Sequence, residues 1–198
     1  TAGYTEDFHW PNDAIALRTK LQQLGVKHIH YHHLLGLNPG LMQLPLELGT
    51  TYDFTAHDYY SACPQVTMTL ADHRYCEEQG PQQCSACLAQ RPAPTEESIE
   101  DWRMRHRHFL AQARYVLTPS RDAAMRLQRY FPQAPIRVAP HFDITAQQQL
   151  PSPTHRRIPS DTHLRIFLLG GVSASKGGNV MQAVAQAAAR TQAPLELH

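Results

Sequence analysis

Short apolar runs alternate with longer amphipathic segments along almost the whole chain, and this alternation constrains the fold more than any other feature. VKHIHYH, TTYDFTA, ARYVLTPS, PIRVAPHFD, HLRIFLL and LELH read as strands. Between them lie segments with helical spacing. Trp10-Pro11 leads into a helix with Ile15, Leu17, Leu21 and Leu24 on its apolar side, closed by Gly25. LMQLPLELG is helical and limited by Pro45. Residues 98–113 predict a basic amphipathic helix, capped by Ser98 or Thr95, with Trp102, Phe109 and Leu110 on its apolar side. Residues 120–131 predict another helix, and an Ala-rich helix follows Gly178. Strands alternating with helices predict an α/β protein, with a parallel sheet and helices on both faces.

The alternation breaks twice. Residues 58–90 are rich in Gln, Pro and His and show no period, so they read as an insert. Residues 145–162, TAQQQLPSPTHRRIPSDT, read as a linker. Two units follow from this, 1–144 and 163–198. The chain has no initiator Met and stops in a strand-like run, so a fragment is expected. Its formal net charge of +1 gives no global basic field, which argues against a nucleic-acid partner. No window is apolar enough to span a membrane, and the first residues do not resemble a signal peptide. A cytoplasmic location is expected, with WRMRHRH (102–108) as either an edge that rests on an anionic membrane surface or a solvated helix face.

Four segments carry candidate chemistry. LLGGVSASKGGNV (168–180) places Gly170, Gly171, Ser173, Ser175, Lys176 and Gly177 between a strand and a helix. Glycines let a phosphate approach the backbone, a helix N-terminus favours anions, and Lys176 adds a full charge. The spacing fits neither a Walker A loop nor GxGxxG, and a plain βα turn with an exposed lysine is the alternative. In KHIHYHHLLG, strand periodicity sends His28, His30 and His32 one way and Ile29, Tyr31 and His33 the other. TAHDYYSACP ends the next strand with His57-Asp58. Parallel strands would bring His33 and His57 to one carboxyl edge, where ligands of α/β sheets bind; the alternative for His57-Asp58 is a capping pair.

The fourth segment is the cysteine set, Cys63, Cys76, Cys84 and Cys87. Cys84-Ser85-Ala86-Cys87 has zinc-knuckle spacing, and a structural zinc would order an insert poor in apolar residues. Two disulfides and four thiols are the alternatives.

In this order, the HIHYHHLLG, TAHDYYSACP, RYC, CSAC, YVLTPSR, IRVAPH and FLLGGVSASKGG segments resemble a bacterial retaining glycosyltransferase of family 4, in the subgroup with a cysteine-rich insert after HDYY. The resemblance extends over most of residues 25–190. It implies a GT-B fold, with two Rossmann-like domains facing a cleft. On that reading 1–144 is the later part of the acceptor-side domain, and 163–198 opens the nucleotide-sugar domain. The resemblance implies that His57 lies near the donor sugar and that Lys176 contacts the donor pyrophosphate after the Gly170-Gly171 loop. Gly171 stands where the family often has an arginine, and His141-Phe142-Asp143 replaces its Asn-Gly turn. The family's acidic donor motif would lie beyond His198. Such enzymes use a nucleotide-sugar as co-substrate, a glycan or lipid-linked acceptor, and no catalytic divalent metal; any zinc would be structural. The expected role is sugar transfer in bacterial surface polysaccharide synthesis, by a chain too short to act alone. The alternative is a zinc-stabilised protein-binding module. Arg74 is the one fixed cation between Cys63 and Cys87, against Asp72, Glu77 and Glu78, so nucleic acid is not expected there.

Overall fold

A computed structural model of the chain describes residues 6–93, 95–140 and 164–197. The chain divides into two compact units, Thr1–Met68 with Glu77–Phe142, and Thr69–Cys76 with Asp143–His198. The expected 145–162 linker, the 141–143 turn and His198 lie outside the described residues.

The first unit contains α1 (Ala14–Gln23), β1 (His28–Tyr31), α2 (Leu44–Leu48), β2 (Thr51–Thr55), α3 (Pro81–Gln90), α4 (Ile99–Gln112), β3 (Tyr115–Thr118), α5 (Arg121–Tyr130) and β4 (Ile136–Val138). Its sheet runs β1-β2-β3-β4 and is parallel throughout. The α/β class and the parallel sheet read from the alternation are therefore present.

Local sequence explains the helix ends. Ser98 starts α4: its Oγ accepts from Asp101 N at 3.0 Å and donates to Asp101 Oδ2 at 2.7 Å. Thr95 instead accepts from Glu97 N at 3.2 Å. Ser120 caps α5 by accepting from Ala123 N at 3.2 Å. Gly49 ends α2 in the left-handed region, φ 63°, where a side chain is disfavoured. The first helix begins three residues after Pro11, at Ala14, and Ile15 of its expected apolar stripe is 72% exposed.

Register assigns the two faces of the sheet. Ile29 pairs with Tyr52, Tyr31 with Phe54, and Phe54 with Val116. This face is the core. Phe109 of α4 stacks on Tyr52 at 4.8 Å and meets Tyr31 edge-on at 5.3 Å. Tyr52 donates its hydroxyl to Phe109 O, and burial pushes the Tyr52 phenol up. Fully buried Phe131, Ile99, Leu110 and Leu127 extend the core. Each successive strand is the neighbour of the last, so right-handed connections put α2, α4 and α5 on one side. The rule applies to the three connecting helices, where helices on both faces were expected. The other face carries His28, His30, Thr51, Asp53, Thr55, Tyr115 and Arg137.

The second unit pairs β5 (Leu164–Ile166) with β6 (Leu195–Leu197) in parallel, connected through α6 (Gly178–Thr191). The strand expected over 164–169 stops at Ile166. Leu169 is 99% exposed.

Candidate functional site

The polar face of the first sheet is built from the inside outward. Asp53 is buried at the centre of β2. Arg114, just before β3, donates to both of its oxygens, Nε to Oδ1 at 3.0 Å and Nη2 to Oδ2 at 2.6 Å. This bidentate pair holds the Asp53 carboxyl below the usual carboxylate value. His28 Nε2 donates to Asp53 Oδ2 at 3.1 Å, which leaves His28 Nδ1 to accept from Thr51 Oγ1 at 2.9 Å. One strand turn further on, His30 Nε2 meets Thr55 Oγ1 at 2.8 Å. Partial burial, and then neighbouring His32, lower the His30 pKa. Arg137 lies over the Tyr115 ring at 3.8 Å, with Arg114 near the same ring at 5.3 Å.

The row continues to the carboxyl edge. His32 stacks on His30 with centroids 4.4 Å apart and planes 10° from parallel. His32 Nδ1 lies 3.3 Å from His57 Nε2, within a hydrogen bond between the two rings. Beside it, His33 Nδ1 accepts from Leu35 N at 3.1 Å, so its Nε2 carries the proton and points to Asp58 Oδ2 at 3.3 Å. Asp58 also closes the turn by accepting from Tyr60 N at 2.8 Å.

The sequence placed His33, His57 and Asp58 at one edge, and all three are there. Within that edge His57 meets His32, and His33 meets Asp58. His32 had not been singled out as a site residue. Periodicity gave its direction, but the offset between β1 and β2, His28 opposite Thr51, appears only in the structure. The Asp53–Arg114 pair was also missed, because residues 61 positions apart carry no local signal.

In the second unit, Gly170, Gly171, Ser173 and Lys176 are exposed on the loop between β5 and α6. Ser173 O accepts from both Lys176 N, at 3.0 Å, and Gly178 N, at 2.9 Å. Lys176 ends a short 3-10 turn that includes Ser175, and Gly177, at φ 82°, starts α6 from a left-handed conformation. Gly178 is the first residue of α6. A Cβ on it would stand 3.0 Å from Ser173 O, so glycine lets the loop fold onto the helix start. The first-turn N–H groups of a helix lack intrahelical acceptors, and here they lie beside Lys176.

The cysteines expected to bind zinc do not gather. Among the described residues, no three His, Cys, Asp or Glu side chains form a group able to hold a metal ion. Cys84 and Cys87 lie within α3 rather than on a knuckle turn, and Cys76 falls in the other unit from Cys63. Cys84 Sγ donates to Gln79 O at 3.6 Å and receives Arg103 Nη2 at 3.3 Å. The Arg103 guanidinium is thus a charged partner of the Cys84 sulfur.

The arginines of the basic helix are also committed. Arg103 Nε donates to Ala62 O at 2.9 Å, and Arg105 pairs with Glu97 and lies over Trp102 at 4.8 Å. Among the described residues, no helix is long and apolar enough to cross a membrane.

Comparison with protein-family models, with curated proteins and with solved structures gives no match. The fold and site define a class: an α/β protein whose four-stranded parallel sheet carries paired histidines and a histidine–aspartate pair at its carboxyl edge.

Proposed function

We propose that the chain is part of a retaining glycosyltransferase that moves a sugar from a nucleotide-sugar to a glycan or lipid-linked acceptor, in bacterial surface polysaccharide synthesis. The two units would belong to the acceptor-side and donor-side domains of a GT-B enzyme. The observation that carries this reading is the carboxyl edge of the first sheet, where His32–His57 and His33–Asp58 stand at the end of parallel strands. The Gly-rich turn with Lys176 at the start of α6 adds a place for a diphosphate.

The residues divide the work by charge. A departing diphosphate needs cations and N–H donors that are already oriented. Lys176 and the first turn of α6 supply both, with Gly177 and Gly178 keeping Cβ atoms out of the approach. The sugar, oxocarbenium-like as the leaving group departs, needs polar side chains for its hydroxyls. His57, His33 and Asp58 supply donors and an acceptor within one edge.

In the full-length enzyme, Lys176→Ala should lower turnover with the cognate nucleotide-sugar by on the order of 100-fold. Its melting temperature should stay unchanged, because Lys176 is exposed. A thermal-shift screen of nucleotide-sugars identifies the donor first. Undiminished turnover in the Lys176 variant rejects the phosphate role.

A further inference from the structure

We propose that His32 is a positioning residue for His57: it fixes the plane of the His57 ring and decides which His57 nitrogen carries the proton. The role in catalysis rests on the glycosyltransferase reading above; the geometry of the pair does not.

Two neutral imidazoles joined by one hydrogen bond must differ. One ring nitrogen donates and the other accepts. Once His32 Nδ1 is committed, His57 Nε2 takes the opposite role, and the His57 Nδ1 state follows. A sugar hydroxyl facing His57 therefore meets a defined donor or acceptor instead of a mixture of tautomers. The orientation of the His32 ring is imposed from the sheet. Thr55, 9% exposed, holds His30 through Nε2, and His30 holds the His32 ring by face-to-face stacking at 4.4 Å. His32 in turn stacks obliquely on His57, centroids 5.6 Å apart and planes at 27°. Orientation thus passes from a buried β2 threonine along three rings to the edge.

The charged neighbours of the pair are already engaged. Asp53 is held by Arg114 and His28, and Asp58 by His33. His28, His30 and Arg114 add donors or positive charge to the same face.

The test follows the ring nitrogens of His57 by NMR in this chain, in the wild type, His32→Ala and His32→Asn. In the wild type, His57 should show one dominant tautomer. His32→Ala should give mixed tautomers. His32→Asn, which restores a polar group near the Nδ1 position, should recover a single tautomer. His32 is exposed, so neither change disturbs the core. In the full-length enzyme, His32→Ala should lower kcat by on the order of 10- to 100-fold with KM nearly unchanged, with partial recovery in His32→Asn. An unaltered tautomer balance in His32→Ala, or mixed His57 tautomers in the wild type, overturns the positioning role. A single His57 tautomer that His32→Ala scrambles, in a protein that turns over no nucleotide-sugar, leaves positioning intact and removes the glycosyltransferase reading.

Discussion

His106 sits fully buried in α4, between the rings of Trp102 and Tyr60. Its Nδ1–H donates to Trp102 O at 2.8 Å, and Nε2 has no hydrogen-bond partner among the described residues. A bare lone pair in an apolar site resists protonation, and burial lowers the His106 pKa from 6.5 to about 4. The unfolded chain takes up this proton near pH 6.5 and the folded chain near 4. The contribution to stability is therefore complete above 6.5 and lost as pH falls toward 4, about 3 kcal/mol in all. Urea unfolding of His106→Phe should show a loss between pH 7 and 4.5 that is smaller than the wild type's by about 2 kcal/mol. Equal losses in both proteins would place the acid sensitivity elsewhere. The sequence held this information only in part. Trp102, Phe109 and Leu110 mark the buried side of α4, and His106 lies on that side by helical spacing, yet RHRH reads as a solvated run. The same limit hid the His57 partner of His32. A histidine's environment is set by the register of the next strand, which its own neighbours do not encode.

The insert shows how a stretch without periodicity is held. α3 buries none of its residues, so it leaves no apolar stripe to read, and its existence was not foreseen. Polar bonds anchor the insert instead. Trp102 Nε1 donates to Tyr60 O at 2.9 Å, Arg103 Nε to Ala62 O at 2.9 Å, and Arg91 Nε to Gln65 Oε1 at 2.8 Å. Glu78, with its side chain only 7% exposed, takes Arg126 and Arg129 from α5. Removing one member of a largely buried ion pair leaves the other charge uncompensated. Glu78→Ala should therefore cost about 2 kcal/mol, reduced from the fully buried case because Arg129 is exposed. It should also open 58–90 to protease. If these polar bonds hold the insert without a metal, a chelator should leave the wild-type melting temperature within about 1 °C. A chelator-induced drop of several degrees would instead restore the zinc expectation for Cys63, Cys76, Cys84 and Cys87.

At the scale of the whole molecule, the strand–helix alternation was legible because each strand carries enough apolar side chains to show its period. The division of labour between the faces of the sheet was not, since it depends on strand order and connection handedness. The two units also differ in how much they bury. In the first, β2 and β3 lie between neighbours on both sides, with Tyr52, Phe54 and Val116 buried beneath Phe109. In the second, no described side chain of residues 164–197 is buried, and two three-residue strands form the sheet. A two-stranded sheet is marginal by itself, and a helix gains most of its stability from packing an apolar face. Val180 and Val184 of α6 remain 66% and 44% exposed. Amide exchange in this chain should separate the two units. Amides of Phe54 and Val116 should exchange only through global opening, whereas those of Val184 and Ala185 should exchange through local opening, about a hundredfold or more faster. A nucleotide-sugar bound at the Lys176 turn should slow exchange at the start of α6 before it affects β2. Equal protection of α6 and β2 without ligand would show that the second unit gains its stability from something other than its own side-chain burial.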